Sequence, residues 1–533
     1  MAKYHYETLA PTDYGFLVSE SPTEHMHVSG LAVFSAGPLA AGNGAVDFET
    51  LKKAVADVLH KVPRYRQKLM WLGEQKSSLM DKVTSMLQPR LAYPPVWVDD
   101  PEFDIDFHVR HACLPHPGND EQLKTLVGQL GSRQLDRSRP LWEVYIIEGL
   151  SDGRFACFTK MHHCMVDGES GIDLTAVLMH IDPKHVPEDG PVFRPRPAPT
   201  PEQLRRELRK ARVTMPWRVV QDLQTFGRQA ENIGEELLER GRAVGELLNS
   251  SMGMKREDSP INGESSAQRV YDWLDLPLAE VKSVATATGT TVNDVVLATV
   301  AGAMRDYCSE RGFDVQKDPF RVSAPVSMRK RTGKKNAEGE IGNEVTQWTV
   351  PLPVHESSPK KRLEVIHADT AAMKDSNAIL ATQTMTSILS LSPGLMGAMI
   401  GQATTAVNTM VTNIPGPQFP LYQCGAEMLV ARPVVPLNKG LGVVIGVLSY
   451  NGTISFGLSA DPAIMDDLEE LRDILHKAHR DLLKTCVKVE PAAGRKTAPR
   501  KSGARKSIKA KPRKADAGNR ATKAKVRATK SAR

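Results

Sequence analysis

The stretch that decides the fold is His162-His163-Cys164-Met165-Val166-Asp167-Gly168, an HHxxxDG signature at the end of the run Phe155-Ala156-Cys157-Phe158-Thr159-Lys160-Met161. The run alternates with the period of a strand. Its phase puts Phe155, Cys157, Met161 and His163 on one face and Lys160 and His162 on the other. If the strand persists to its end, the two histidines face opposite ways. His163 then emerges as an imidazole able to take a proton near neutral pH, while Asp167-Gly168 turns the chain toward a helix start. The bland alternative is a packed strand end followed by an ordinary Asp-Gly turn.

Working outward, the chain alternates strand and helix patterns over residues 1–182, with strands at Val28–Phe34, Phe107–Leu114 and Trp142–Ile147 and helices near Phe48–His60 and Glu121–Leu135. That order fits one mixed sheet with helices. Seven prolines between Pro183 and Pro201 mark an extended linker. An apolar stripe at Val219, Leu223, Phe226, Ala230, Ile233 and Leu237 follows with helical spacing. The linker and helical insert thus cover 183–265. A second strand and helix series occupies 266–488. It contains strands at Val270–Leu276, Phe320–Val326 and Val345–Val354, a hairpin closed by Asn451-Gly452, and a final helix near Ala463–Thr485. The expected class is α/β, mixed α+β, in two halves.

The chain has 533 residues and 41% hydrophobic content, enough for two ordinary cores. Its formal charge of +7 misleads, because residues 491–533 carry 16 Lys or Arg against one acid, Asp516, which leaves the body at −8. The segment 489–533 reads as a disordered Lys/Arg/Ala-rich tail. Its charge suits anionic lipid or sequence-independent nucleic-acid binding, and a non-enzymatic reading of the chain is a polyanion tether. The six cysteines show no CxxC spacing and suit reduced thiols in a cytoplasm. No signal peptide and no run long enough for a transmembrane helix is expected. From Ser376 to Ala426 no residue is charged, which suggests a buried helix pair or the greasy wall of a lipid-binding channel.

The candidate chemistry is correspondingly narrow. His108-x-x-His111-x-Cys113-x-x-His116 has metal-donor residue types, but it reads as an extended strand, and no metal is assigned. No Gly-x-Ser-x-Gly elbow offers a covalent nucleophile. A histidine base suffices when the carbonyl is already activated, as in a thioester. Thr291-x-x-Asp294 fits a helix-capping pair about as well as it fits function, so Asp294 stays a substrate-binding or oxyanion candidate, and Asn293, whose amide can donate a hydrogen bond, is the better oxyanion or substrate-orienting one.

The ordered set Pro140-Leu141-Trp142-Glu143, His162-His163-x-x-x-Asp167-Gly168, Asn293-Asp294 and Asn413-Ile414-Pro415-Gly416-Pro417 resembles the bacterial wax ester synthase/diacylglycerol acyltransferase family. Pro11-Thr12-Asp13 and Met26-His27-Val28-Ser29-Gly30-Leu31 also look like that family's start, and the resemblance spans roughly residues 8–485. It implies two chloramphenicol-acetyltransferase-like domains with the active site between them. It also implies long-chain acyl-CoA as co-substrate, diacylglycerol or a fatty alcohol as acceptor, and no bound cofactor. By the same resemblance His163 is the general base, His162 supports it, and Asp167 with Gly168 anchors the loop. Pro140, Leu141, Trp142, Asn413, Pro415, Gly416 and Pro417 are structural motif positions, and peripheral attachment to the inner membrane face or lipid droplets is expected. HHxxxDG alone is shared with condensation-type acyltransferases, so a different acceptor is the enzymatic alternative.

Overall fold

A computed structural model describes residues 4–9, 11–42, 44–72, 95–165, 177–186, 188–208, 256–327, 345–375 and 405–487. Asp167, Gly168, the 219–244 stripe, Ser376–Thr404 and the basic tail lie outside the described residues. The chain divides into two units, Met1–Lys488 and Val489–Arg533. The first carries two six-stranded sheets.

The histidine-bearing sheet has the order β14-β15-β2-β9-β8-β7. Its members are β2 (His27–Ser35), β7 (Val109–Cys113), β8 (Trp142–Leu150), β9 (Arg154–His162), β14 (Tyr422–Gln423) and β15 (Ala426–Val434). Both faces of β9 are buried. Phe155, Cys157 and partly Met161 pack on one side with Phe34, Trp142 and Ile146. Ala156 and Phe158 pack on the other with Leu31, Tyr271, Trp273 and Val434. A strand covered on both faces tolerates apolar residues in both phases, so the alternation stands out only where Lys160 and His162 interrupt it.

The sheet of residues 1–182 is not self-contained, contrary to the sequence reading. β15 comes from the second half and pairs antiparallel with β2, from Met428 opposite Phe34 to Val434 opposite Ser29. Such a non-local pairing leaves no local signal in either strand. The second sheet, of order β10-β17-β16-β13-β11-β12, is built from β10 (Val270–Pro277), β11 (Phe320–Ser327), β12 (Val345–Leu352), β13 (Thr409–Pro415), β16 (Val443–Tyr450) and β17 (Thr453–Ala460). Within the uncharged 376–426 segment, the apolar pairs behind the helix expectation lie outside the described residues, and the described part adds a strand. Thr409–Pro415 is a strand lying parallel to β11 and β16. The β16–β17 hairpin turns at Asn451 and Gly452, with φ of 44° and 84°, the positive angles that a two-residue turn requires.

Close contacts also join the two sheets. Gly457 of β17 lies so close to β15 that a Cβ there would sit 1.9 Å from the Pro433 carbonyl oxygen. Beside it, the Tyr271 hydroxyl donates to the same oxygen at 3.2 Å. Around the second sheet pack α4 (Leu278–Thr288), α5 (Val292–Glu310), α6 (Pro359–Asp375) and α7 (Leu468–Cys486), enclosing one large apolar core. The first half carries α1 (Pro11–Ser19), α2 (Phe48–Val58) and α3 (Asp120–Gly131). Two sequence boundaries shift for capping reasons. A one-turn helix, Ile105–His108, takes the start of the expected Phe107–Leu114 strand because Asp104 accepts the Asp106 N–H. Helix α3 begins at an Asn119/Gln122 capping box and ends at Gly131, short of Leu135.

Candidate active site

Strand β9 ends at His162, and His163 opens a 3-10 turn through Met165. The strand phase therefore stops one residue before the second histidine. The backbone N–H of His162 donates to the Leu141 carbonyl at 2.9 Å, while that of His163 donates to the Met26 carbonyl at 2.7 Å. The pair is thus pinned from both flanking strands' entries. The Pro140-Leu141-Trp142 motif supplies one anchor. Trp142 itself is buried, donates its indole N–H to the Tyr65 carbonyl at 2.7 Å and stacks on His108.

Helix α1 reaches both histidines. Pro11 at its start needs no N–H partner, and Asp13 brings a carboxylate to the first turn. Phe16 stacks on the half-buried His163 ring, with centroids 3.8 Å apart and 22° between planes. One turn later Glu20, almost fully buried, lies 3.5 Å from His162 Nε2 and 3.3 Å from His27 Nε2. Those separations are close contacts rather than well-angled hydrogen bonds. Arg137 Nε donates to the same carboxylate at 2.9 Å, and its Nη2 donates to the Leu17 carbonyl at 3.1 Å. His27 is the register partner of His162 across β2 and β9. Burial opposes ionisation of Glu20, but His162, His27 and Arg137 outweigh it and hold the carboxyl well below its usual range.

Burial pushes His27 down to about 4, against the pull of Glu20. Between the ordinary 6.5 and about 4, the unfolded chain therefore binds a proton that the folded chain refuses. Stability should fall as pH falls through that window. The urea midpoint of the wild-type chain is expected to drop further between pH 6.5 and 4.5 than that of His27→Gln, and equal drops would contradict the assignment. With His25, Tyr271 and Ser459, His27 lines a cavity of about 30 Å³ between the halves.

Beneath His162 on the same strand face, Lys160 is fully buried. Its ammonium donates to the carbonyls of Leu130 at 3.2 Å and Arg133 at 3.0 Å, at the C-terminal end of α3, and pairs with Glu143 at 3.2 Å. A cation there complements the helix dipole. Cys164 is buried, which raises its thiol well above the usual range, with Asp13 and Glu20 adding to the effect. It is therefore no thiolate nucleophile.

In the second half, Thr291 and Asp294 form a reciprocal capping box at the start of α5. The buried Asp294 carboxylate also accepts the Thr370 hydroxyl at 2.8 Å and meets His367 Nδ1 at 2.8 Å, so its contacts lie within this half. Asn293 stands differently. Its Oδ1 accepts from Asn413 Nδ2 at 3.2 Å, which joins two of the sequence motifs and leaves the Asn293 amide N–H groups pointing away from that bond. Asn413 and Pro415 finish β13 in register with Val447 and Ser449, and the Gly416 N–H continues the ladder to the Ser449 carbonyl at 2.9 Å. Pro417 accepts the Asn451 N–H at 3.0 Å.

The metal-like histidine run takes other partners. His108 Nδ1 donates to the Trp142 carbonyl at 2.8 Å, and His111 stacks on Phe48 and meets Glu148. No group of three or more His, Cys, Asp or Glu arranged to hold a metal ion occurs among the described residues. Phe16, Glu20 and Arg137 escaped the sequence reading. The spacing of Phe16 and Glu20 marks one helix face, yet nothing local to α1 announces partners some 140 residues away.

Residues 9–296 match the wax ester synthase/diacylglycerol acyltransferase catalytic domain, and residues 341–482 match the C-terminal domain of the same proteins. The chain is 30% identical over 477 residues to a protein of Mycobacterium tuberculosis described as a probable diacylglycerol O-acyltransferase, covering 87% of this chain and 93% of that one. Among solved structures it is similar to a wax ester synthase/diacylglycerol acyltransferase from Marinobacter aquaeolei VT8, with a TM-score of 0.59, 26% identity, and 89% and 98% coverage. It also shares the fold of the first condensation domain of the calcium-dependent antibiotic synthetase, at a TM-score of 0.53 and 14% identity over 91% and 97% of the two chains. With both halves matched in order and the histidine pair held at the strand end, this chain belongs to the wax ester synthase/diacylglycerol acyltransferase family and is an acyltransferase.

Proposed function

We propose that the protein transfers a long-chain acyl group from acyl-CoA to the hydroxyl of diacylglycerol or a long-chain alcohol, with His163 as the general base. The observation that carries this reading is the double pinning of the histidine pair, which fixes His163 at a turn with its ring against Phe16. In the reaction, the acceptor oxygen attacks the thioester carbonyl as its proton passes to the imidazole. Collapse of the tetrahedral intermediate breaks the C–S bond, and the imidazolium returns the proton to the departing CoA sulfur. Asn293, oriented by Asn413, is the side chain best suited to donate to the developing oxyanion. No bound cofactor takes part in this scheme.

No described helix is long and apolar enough to cross a membrane. Peripheral contact with a lipid surface, aided by the 16 cations of residues 491–533, fits an enzyme with hydrophobic substrates. The same charges would also attract nucleic acid without sequence preference. Purified protein supplied with long-chain acyl-CoA should release free CoA when diacylglycerol or a long-chain alcohol is added. Comparing the two acceptors ranks them. No release with either, together with activity on an acyl-carrier protein, would transfer the reading to a condensation-type reaction.

A further inference from the structure

We propose that Glu20 is a positioning residue that sets the tautomer of His162, and through it the shape of the turn that presents His163. This rests on the reading of His163 as the base. Three observations combine. The Cys164 backbone N–H donates to His162 Nδ1 at 3.1 Å, so that nitrogen serves as an acceptor and carries no proton. In a neutral imidazole the proton then sits on Nε2. Nε2 is the atom 3.5 Å from the Glu20 carboxylate, whose negative end favours an N–H pointed toward it.

The bond from Cys164 ties the start of the 3-10 turn that begins at His163 to the strand end. A flipped tautomer would set Nδ1–H against the Cys164 N–H and open that turn. Arg137 bears on the tautomer as well. By pairing with Glu20 it holds in place the carboxylate that faces His162 Nε2. Helix α1, which ends just before Glu20, grips the other histidine through Phe16, whose carbonyl also accepts the Glu20 N–H at 3.2 Å. The helix and the residue that follows it therefore meet both imidazoles, and Glu20 acts at a distance from the reacting atoms.

The test uses the full chain with four variants, His163→Ala, Glu20→Gln, His162→Ala and Glu20→Gln/His162→Ala, and follows CoA release. Glu20→Gln should lower kcat by roughly tenfold or more, with KM for acyl-CoA and acceptor unchanged, as expected for lost orientation of a base. Its loss and that of His162→Ala should not multiply in the double variant, because Glu20 acts through His162. Multiplicative losses, or a change in KM alone, would overturn the proposal. Imidazole nitrogen NMR of the unmutated protein, with His162 assigned from His162→Asn, should show a bare Nδ1 and a protonated Nε2. A protonated Nδ1 would overturn it even if Glu20→Gln failed to fold. Retained activity in His163→Ala would instead remove the base assignment and leave the tautomer measurement to stand or fall by itself.

Discussion

Replacing His163 by Ala lowers turnover about 10²- to 10⁴-fold while acyl-CoA binding and the melting transition stay near wild type. The size follows from what a positioned base contributes to proton transfer, and the thioester keeps a residual reaction because its carbonyl is already activated. Phe16 stacks on one face of the ring, and the turn's backbone bond is made by the His163 N–H, which Ala retains. Folding should therefore survive. His162→Ala is expected to be milder, since it removes the acceptor of the Cys164 N–H and a contact of Glu20 rather than the proton acceptor itself. A larger loss from His162→Ala than from His163→Ala, measured as single-turnover CoA release, would reverse the roles assigned to the two rings.

Lys160→Met destabilises the protein by about 3–5 kcal/mol, the range expected when one partner of a buried ion pair is removed and the other stays behind. Glu143 keeps Arg110 at 3.2 Å and the Tyr145 hydroxyl at 2.9 Å, which sets the loss toward the lower end. Two carbonyls at the end of α3, those of Leu130 and Arg133, lose their donor at the same time. The double variant Lys160→Met/Glu143→Leu should regain most of the stability, because it removes the stranded charge. Urea unfolding of both proteins decides the matter. A single variant within 1 kcal/mol of wild type would show that Glu143 does not depend on the lysine.

What could be read before the fold was known follows the range of each interaction. The strand run to His162, the Asn451-Gly452 hairpin and the Thr291/Asp294 box depend on neighbours in the chain, and their residue types carry the pattern. The His163 N–H still meets the Met26 carbonyl in the β2–β9 register, but the 3-10 turn that starts at His163 ends the strand there, and neither partner is near it in sequence. Glu20 looks like an ordinary acid after a short helix until β2 and β9 bring His27 and His162 beside it. Asn293 and Asn413 were both legible as motif members. Their hydrogen bond was not, since it needs β13 to lie against β16 beneath the start of α5. Strand β13 itself was hidden by its uncharged surroundings, whose composition suits a buried helix as well as a central strand.

The loan of β15 to the histidine-bearing sheet has a consequence for biosynthesis. On the ribosome, residues 27–162 emerge long before Ala426–Val434, so the nascent chain carries β2 with one side unpaired while more than 250 further residues are made. A nascent chain stopped before residue 426 would hold the histidine pair on a sheet with an open, apolar edge. Such an intermediate invites chaperone binding or pairing with a second copy, and the sheet that carries the active-site strand would gain β15 only after most of the second half had been made.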